Sequence, residues 1–176
     1  MLPRIFETER LVARLPTPSD APALFEAYAC KPEVSRYMLW RPHETVSITE
    51  AFVGECIAAA ERGTRMPYVL AEQGKSELIG MLEARPLAHR VDFGYVLSPE
   101  YWGRGFMPEA IAALSGIALA LRDVFRVQAF CDVENRPSQR ALEKAGLVRE
   151  GRHERFMVHP NVSPEPRACY MYAKCR

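Results

Sequence analysis

Gly103 and Gly105 frame a single arginine in Tyr101-Trp102-Gly103-Arg104-Gly105-Phe106. Glycines at this spacing let the backbone turn tightly and leave its N–H groups uncovered. If a helix begins just afterwards, its positive end adds to those donors and makes a cradle for an anion, most often phosphate. Two familiar phosphate motifs are excluded: no Gly-x-x-x-x-Gly-Lys-Ser/Thr occurs, and the third glycine of a dinucleotide fingerprint is missing. An ordinary strand-to-helix turn carries the same two glycines, so the pair needs company to mean more. Asn135 and Ser138, three apart, are residue types suited to capping a helix. Cys131 sits in an apolar run and reads as a small core residue, with no histidine nearby in sequence to make it a nucleophile. His43, His89, His153 and His159 have no metal-site spacing, so no metal is expected.

The elements that must position these groups follow from periodicity. Residues 91–97 are rich in β-branched and aromatic side chains and read as a strand, and residues 110–121 are dense in helix formers. Upstream, residues 9–15 alternate as a half-buried strand, and Ser19-Asp20 opens a helix to about Ala29. A short helix is expected over residues 33–38. Residues 37–42 are aromatic and loop-like, either a local core anchor or a wall of a substrate pocket. Ser47-Ile48-Thr49-Glu50 fits a capping box for a helix running to about Arg62, with Gly63 as its stop. Strands over 67–72, 78–85 and 91–97 are joined by short turns and suggest an antiparallel meander. A strand over 126–133, a helix over 136–146 with proline near its start, and strands over 147–158 and 169–175 complete the order. Arg149, Arg152 and Arg155 read as a solvated strand face.

Size and charge set the outer bounds. The 176 residues suit a single domain, and 23 Lys plus Arg against 22 Asp plus Glu leave a formal charge of +1. No global electrostatic argument for nucleic acid or an acidic membrane follows. Five cysteines without a Cys-x-x-Cys pair fit reduced thiols better than a disulfide framework. The longest uncharged apolar run, residues 110–121, falls short of a membrane span, and the N-terminus lacks the apolar centre of a signal peptide. A soluble, cytoplasmic protein is the expectation.

Taken together, Thr8-Glu9-Arg10-Leu11, Phe93-Gly94-Tyr95-Val96-Leu97, Trp102-Gly103-Arg104-Gly105, Glu109-Ala110, Asn135-Arg136-Pro137-Ser138, Leu142-Glu143-Lys144-Ala145-Gly146 and Glu150-Gly151 occur in an order that resembles the GNAT acyl-CoA N-acyltransferases. The likeness is to the branch similar to the RimJ and RimL ribosomal-protein N-terminal acetyltransferases, and it covers nearly the whole chain. It implies an α/β fold: a mixed, mostly antiparallel seven-stranded sheet splayed around an acetyl-CoA cleft. The pyrophosphate would rest on backbone N–H groups of Trp102, Gly103, Arg104, Gly105, Phe106 and Met107. The pantetheine would pair with Tyr95, Val96 and Leu97, and an N–H near Leu97 would polarise the thioester carbonyl. Asn135 and Ser138 match the family's Asn-x-x-Ser, with the asparagine on the cofactor arm or substrate and the serine near sulfur. Asp92 stands where relatives often carry a glutamate base, and Glu83 is a second candidate.

Two departures from the family pattern stand out. Met107 replaces a small residue, with the prospect of crowding the phosphates, and Arg167-Ala168-Cys169 stands where an acidic residue often precedes the last strand. The resemblance implies acetyl transfer to a primary amine, either a protein N-terminus or a small molecule. A longer or succinyl donor, and a catalytically silent acyl-CoA-binding module, stay open beside it. Relatives often form homodimers, but no stretch here identifies an interface.

Overall fold

The computed structural model describes the whole chain, Met1–Arg176. Strands β1 (Ile5–Glu7) and β2 (Leu11–Arg14) lead into a helical stretch made of a 3-10 turn (Pro18–Asp20), α1 (Ala21–Leu24) and a π-turn (Phe25–Ala29). Next come α2 (Pro32–Ser35), α3 (Val46–Glu61), and the strands β3 (Met66–Glu72), β4 (Leu78–Leu87) and β5 (Arg90–Leu97). A 3-10 turn (Pro99–Tyr101) precedes α4 (Phe106–Leu119), and β6 (Arg126–Asp132), α5 (Arg136–Lys144), β7 (Val148–Val158) and β8 (Pro166–Cys175) end the chain.

One sheet of eight strands runs in the order β1-β2-β3-β4-β5-β6-β8-β7. Seven were expected, and the extra strand is β1, three residues too short for an alternation to show in sequence. Phe6 nevertheless anchors it, packing edge-on against Tyr68 at 5.0 Å. All neighbours are antiparallel except β5 and β6. That parallel pair is joined by α4, because parallel strands need a crossover.

Two apolar layers cover the sheet. One is built from α4 and α5 over Leu82, Phe93 and Val127; the other packs α1 and α3 against Val69, Leu78 and Met81. Helix α4 turns Phe106, Ala110, Ile111, Leu114 and Ala118 inward at the three- and four-residue spacing of one helical face. The capping-box reading of Ser47 and Glu50 is corrected by the structure. Helix α3 starts two residues earlier, after Thr45, whose hydroxyl meets Ser47 Oγ at 2.8 Å, while Thr49 is buried against His43 Nδ1 at 2.8 Å. No helix is long and apolar enough to cross a membrane.

Candidate active site

Strands β5 and β6 pair only where Arg90, Val91 and Asp92 face Arg126, Val127 and Gln128. Beyond that point they diverge, β5 staying with β4 as far as Leu97 and β6 with β8 as far as Asp132. Each strand therefore shows one unpaired backbone edge to the gap. The Ser98 N–H bonds Ile79 O at 2.8 Å, so by the antiparallel alternation Tyr95 and Leu97 turn their N–H and C=O groups away from β4 and into the gap. Only the Leu97 carbonyl is already taken, by Trp102 Nε1 at 2.8 Å. A cavity of about 330 Å³ opens here.

At the end of β5 the chain enters the glycine turn. Gly103 and Gly105 have φ of 75° and 83°, the left-handed region open to glycine at little cost. From Gly103 to Met107 no backbone N–H finds a backbone acceptor, and all of them lie at the positive end of α4. Sequence reasoning missed what holds this turn. Arg10 donates to Glu109 Oε2 at 2.6 Å and to the Arg104 carbonyl at 3.1 Å, and its guanidinium lies 4.6 Å from the centre of the Phe106 ring. Thr8 Oγ1 and the Arg10 N–H reach Glu109 Oε1 at 2.6 and 2.9 Å. Burial opposes ionisation of Glu109, but these donors outweigh it and hold its carboxyl below the usual range. Met107 does not crowd the turn, because its side chain is buried in the core beneath α4. Trp102 stands half exposed beside it.

Helix α5 brings up the other wall. Asn135 caps it, its Oδ1 accepting the Ser138 N–H at 3.3 Å, so capping is one job the sequence pattern performs. The Ser138 hydroxyl lies 2.6 Å from the Tyr95 hydroxyl, which spans the gap from β5. Burial raises the Tyr95 phenol well above its ordinary value, so it stays protonated and can donate to Ser138. Cys131 lines the same wall, its thiol pushed up by burial to about 12. Such a thiol is a poor nucleophile at neutral pH.

Away from the glycine turn the cavity is walled by Tyr28, Tyr37, Trp40 and Phe52. Residues 37–40 thus line the pocket, and they are also anchored: Asn161 Nδ2 donates to the carbonyls of Ser35 and Trp40, each at 2.7 Å. On the sheet floor Glu83 is held between Arg65 Nη1 and Arg85 Nε, each at 3.2 Å. Asp92, by contrast, is not part of this cavity. It lies where β5 and β6 are still paired, 3.3 Å from Arg90 Nε. The structure therefore gathers Glu83, Tyr95, Val96, Asn135 and Ser138 around one space and leaves Asp92 outside it.

A buried polar cluster closes the far side. Both Asp132 oxygens accept from Arg167, at 2.6 and 3.1 Å, and Oδ1 also takes the Glu134 N–H at 2.8 Å. Although burial opposes it, these donors keep the Asp132 carboxyl below its ordinary range. His159 is almost wholly buried, its Nε2 3.7 Å from Asp132 Oδ2 and 3.6 Å from Cys169 Sγ. Burial lowers the His159 pKa and lifts the Cys169 thiol to about 11. Sequence singled out Arg167 only as a departure from a pattern; the partner that gives it meaning lies 35 residues away. No group of three or more His, Cys, Asp or Glu is arranged to hold a metal ion.

Comparison with known proteins bears on this geometry. The family model described as an acetyltransferase (GNAT) domain matches residues 10–148. The "uncharacterized N-acetyltransferase YoaA" of Bacillus subtilis (strain 168) is 28% identical over 175 residues, spanning 98% of each chain. A GNAT-family acetyltransferase structure from Bacillus anthracis superposes with a TM-score of 0.85 at 27% identity, covering 97% of this chain and 98% of that one. A RimL ribosomal-protein α-N-acetyltransferase in complex with coenzyme A gives the same TM-score, 0.85, at 21% identity, over 97% of both chains.

Proposed function

The chain belongs to the GNAT acetyltransferase family, enzymes of acyl transfer from acyl-CoA to amines, and from that premise we propose that it moves the acetyl group of acetyl-CoA to a primary amine by direct attack in a ternary complex. The observation that carries this reading is the unpaired edge of β5 running into the bare N–H groups of the glycine turn. That edge is long enough to pair an extended arm as an added strand, and it ends where a pyrophosphate would meet five uncovered N–H donors at a helix start. Coenzyme A in the RimL complex supports the same assignment.

Acetyl-CoA supplies the activated thioester; this chain's residues supply the rest. The Leu97 N–H, aimed into the gap, polarises the acyl carbonyl as the amine nitrogen adds to carbon and the oxygen gathers charge. Glu83 takes the ammonium proton through water. It sits opposite Gly94 in the β4–β5 register, two residues along the strand from Val96, a separation of about 6.6 Å. As the C–N bond forms and the C–S bond breaks, the Ser138 hydroxyl, oriented by a hydrogen bond from Tyr95, gives its proton to the leaving sulfur and is reprotonated from solvent, which receives the proton that Glu83 drew from the amine. Asn135 fixes the first turn of the helix that carries Ser138.

A free-thiol release assay with acetyl-CoA and a panel of peptides and small amines tests the reading. Amine-dependent release that falls in Ser138→Ala is the expected result. Failure of the protein to bind acetyl-CoA in calorimetry overturns it.

A further inference from the structure

The acceptor end of the cavity holds an imbalance of charge. Asp132 is fully engaged by Arg167 and the Glu134 N–H, which leaves Glu83 as the carboxylate facing the space, with two guanidiniums, Arg65 and Arg85, beside it. One positive charge in the pocket is therefore unmatched. Arg85 carries a second sign of a missing partner. Its Nε is buried and, although 3.2 Å from Glu83 Oε1, lacks the alignment of a hydrogen bond and meets no other acceptor. Buried donors left in this state are costly, and they mark places where a ligand completes the set. Gly94 leaves room for this guanidinium where it lies, since a Cβ there would meet Arg85 Nη2.

An acceptor carrying only an ammonium group would meet two cations and one anion, a repulsive site. A peptide N-terminus would present a neutral amide where Arg85 needs an anion. Around the charged floor stand Tyr28, Tyr37, Trp40 and Phe52, a wall that buries an apolar group of aromatic size. We propose that the acceptor is a primary amine that also bears a carboxylate and a large apolar side chain, the chemistry of a free apolar α-amino acid, with its carboxylate on Arg65 and Arg85 and its amine beside Glu83. This inference rests on the acetyl-transfer reading and narrows it to one class of acceptor. A planar carboxylate matches the two-pronged face of a guanidinium, which a lysine in either place would not.

The experiment is thiol release from acetyl-CoA by the full chain with the twenty common amino acids, their C-terminal amides, and 2-phenylethylamine. Free apolar amino acids are expected to turn over with kcat/KM about 10- to 100-fold above their amides, the worth of a charged hydrogen-bonded pair. Arg85→Gln and Arg65→Gln should each raise KM for the free acid by a similar factor and affect the amide less, so that the acid-to-amide ratio of kcat/KM falls towards one. Calorimetry of each variant with acetyl-CoA checks that the fold and the cofactor cleft survive. Amides or peptides used as well as the free acids overturn the proposal, and so does the absence of turnover with every amino acid. In either case intact acetyl-CoA binding leaves the acyl-transfer reading standing, whereas lost binding in the unaltered protein removes both.

Discussion

Ser138 and Tyr95 share one hydrogen bond at 2.6 Å, and their replacements separate two roles. Ser138→Ala removes the proton donor proposed for the leaving sulfur and should lower kcat about 10²-fold, at the lower end of what a positioned proton donor contributes. Tyr95→Phe keeps the serine and removes only the hydrogen bond that orients its hydroxyl, so the loss should be smaller and should vanish with a donor whose leaving group needs no proton. Steady-state thiol release reads both. Glu83→Gln should lower kcat about 10²-fold, while Asp92→Asn, outside the cavity, should leave it near the value of the unaltered protein. Such a split was not legible in sequence. Alternation fixes only that Glu83 and its neighbours point to opposite faces, and the pattern around Asp92 carries no sign that β5 and β6 are still joined there.

At the scale of elements, the glycine turn is held from a distance. Thr8 and Arg10 sit on the bend between β1 and β2, yet they fix Glu109 on the first turn of α4 and the Arg104 carbonyl just before it. Arg10→Ala should therefore weaken acetyl-CoA binding, measured by calorimetry, although it removes none of the turn's own N–H donors. Gly105→Ala forces a side chain into a left-handed backbone at a cost of about 1–2 kcal/mol and should both destabilise the chain and misplace the N–H groups. The meander β3–β4–β5 and helix α4 could be read in advance because short turns and helix formers mark them locally. The clamp could not, since Thr8-Glu9-Arg10 and Glu109 lie about a hundred residues apart and nothing in either stretch names the other. Helix α3 shows the opposite failure: a capping pattern that looked complete at Ser47 lies inside the helix, which begins after Thr45 with Ser47 and Glu50 both past its first residue.

For the molecule as a whole, the Asp132–Arg167 pair ties β6 to β8 beneath the cavity. Asp132 has its pKa lowered on folding, so its contribution is complete above the ordinary carboxylate range and is lost as pH falls through the lowered value. Thermal unfolding should thus show an acid-side loss of stability that Asp132→Asn removes. At neutral pH the same change should also destabilise the chain, by less than the roughly 3–5 kcal/mol of a fully broken buried pair, because Arg167 keeps Glu134 at 2.9 Å.

The two tryptophans fall at opposite ends of the cleft, Trp40 in the aromatic wall and Trp102 beside the glycine turn. Under the proposed function the molecule thereby carries a separate optical reporter for each substrate. In Trp40→Phe the remaining emission should respond to acetyl-CoA alone, and in Trp102→Phe to the acceptor alone. Mixing the two ligands in either order against each variant in a stopped-flow fluorimeter would then show which one arrives first, with no product formed.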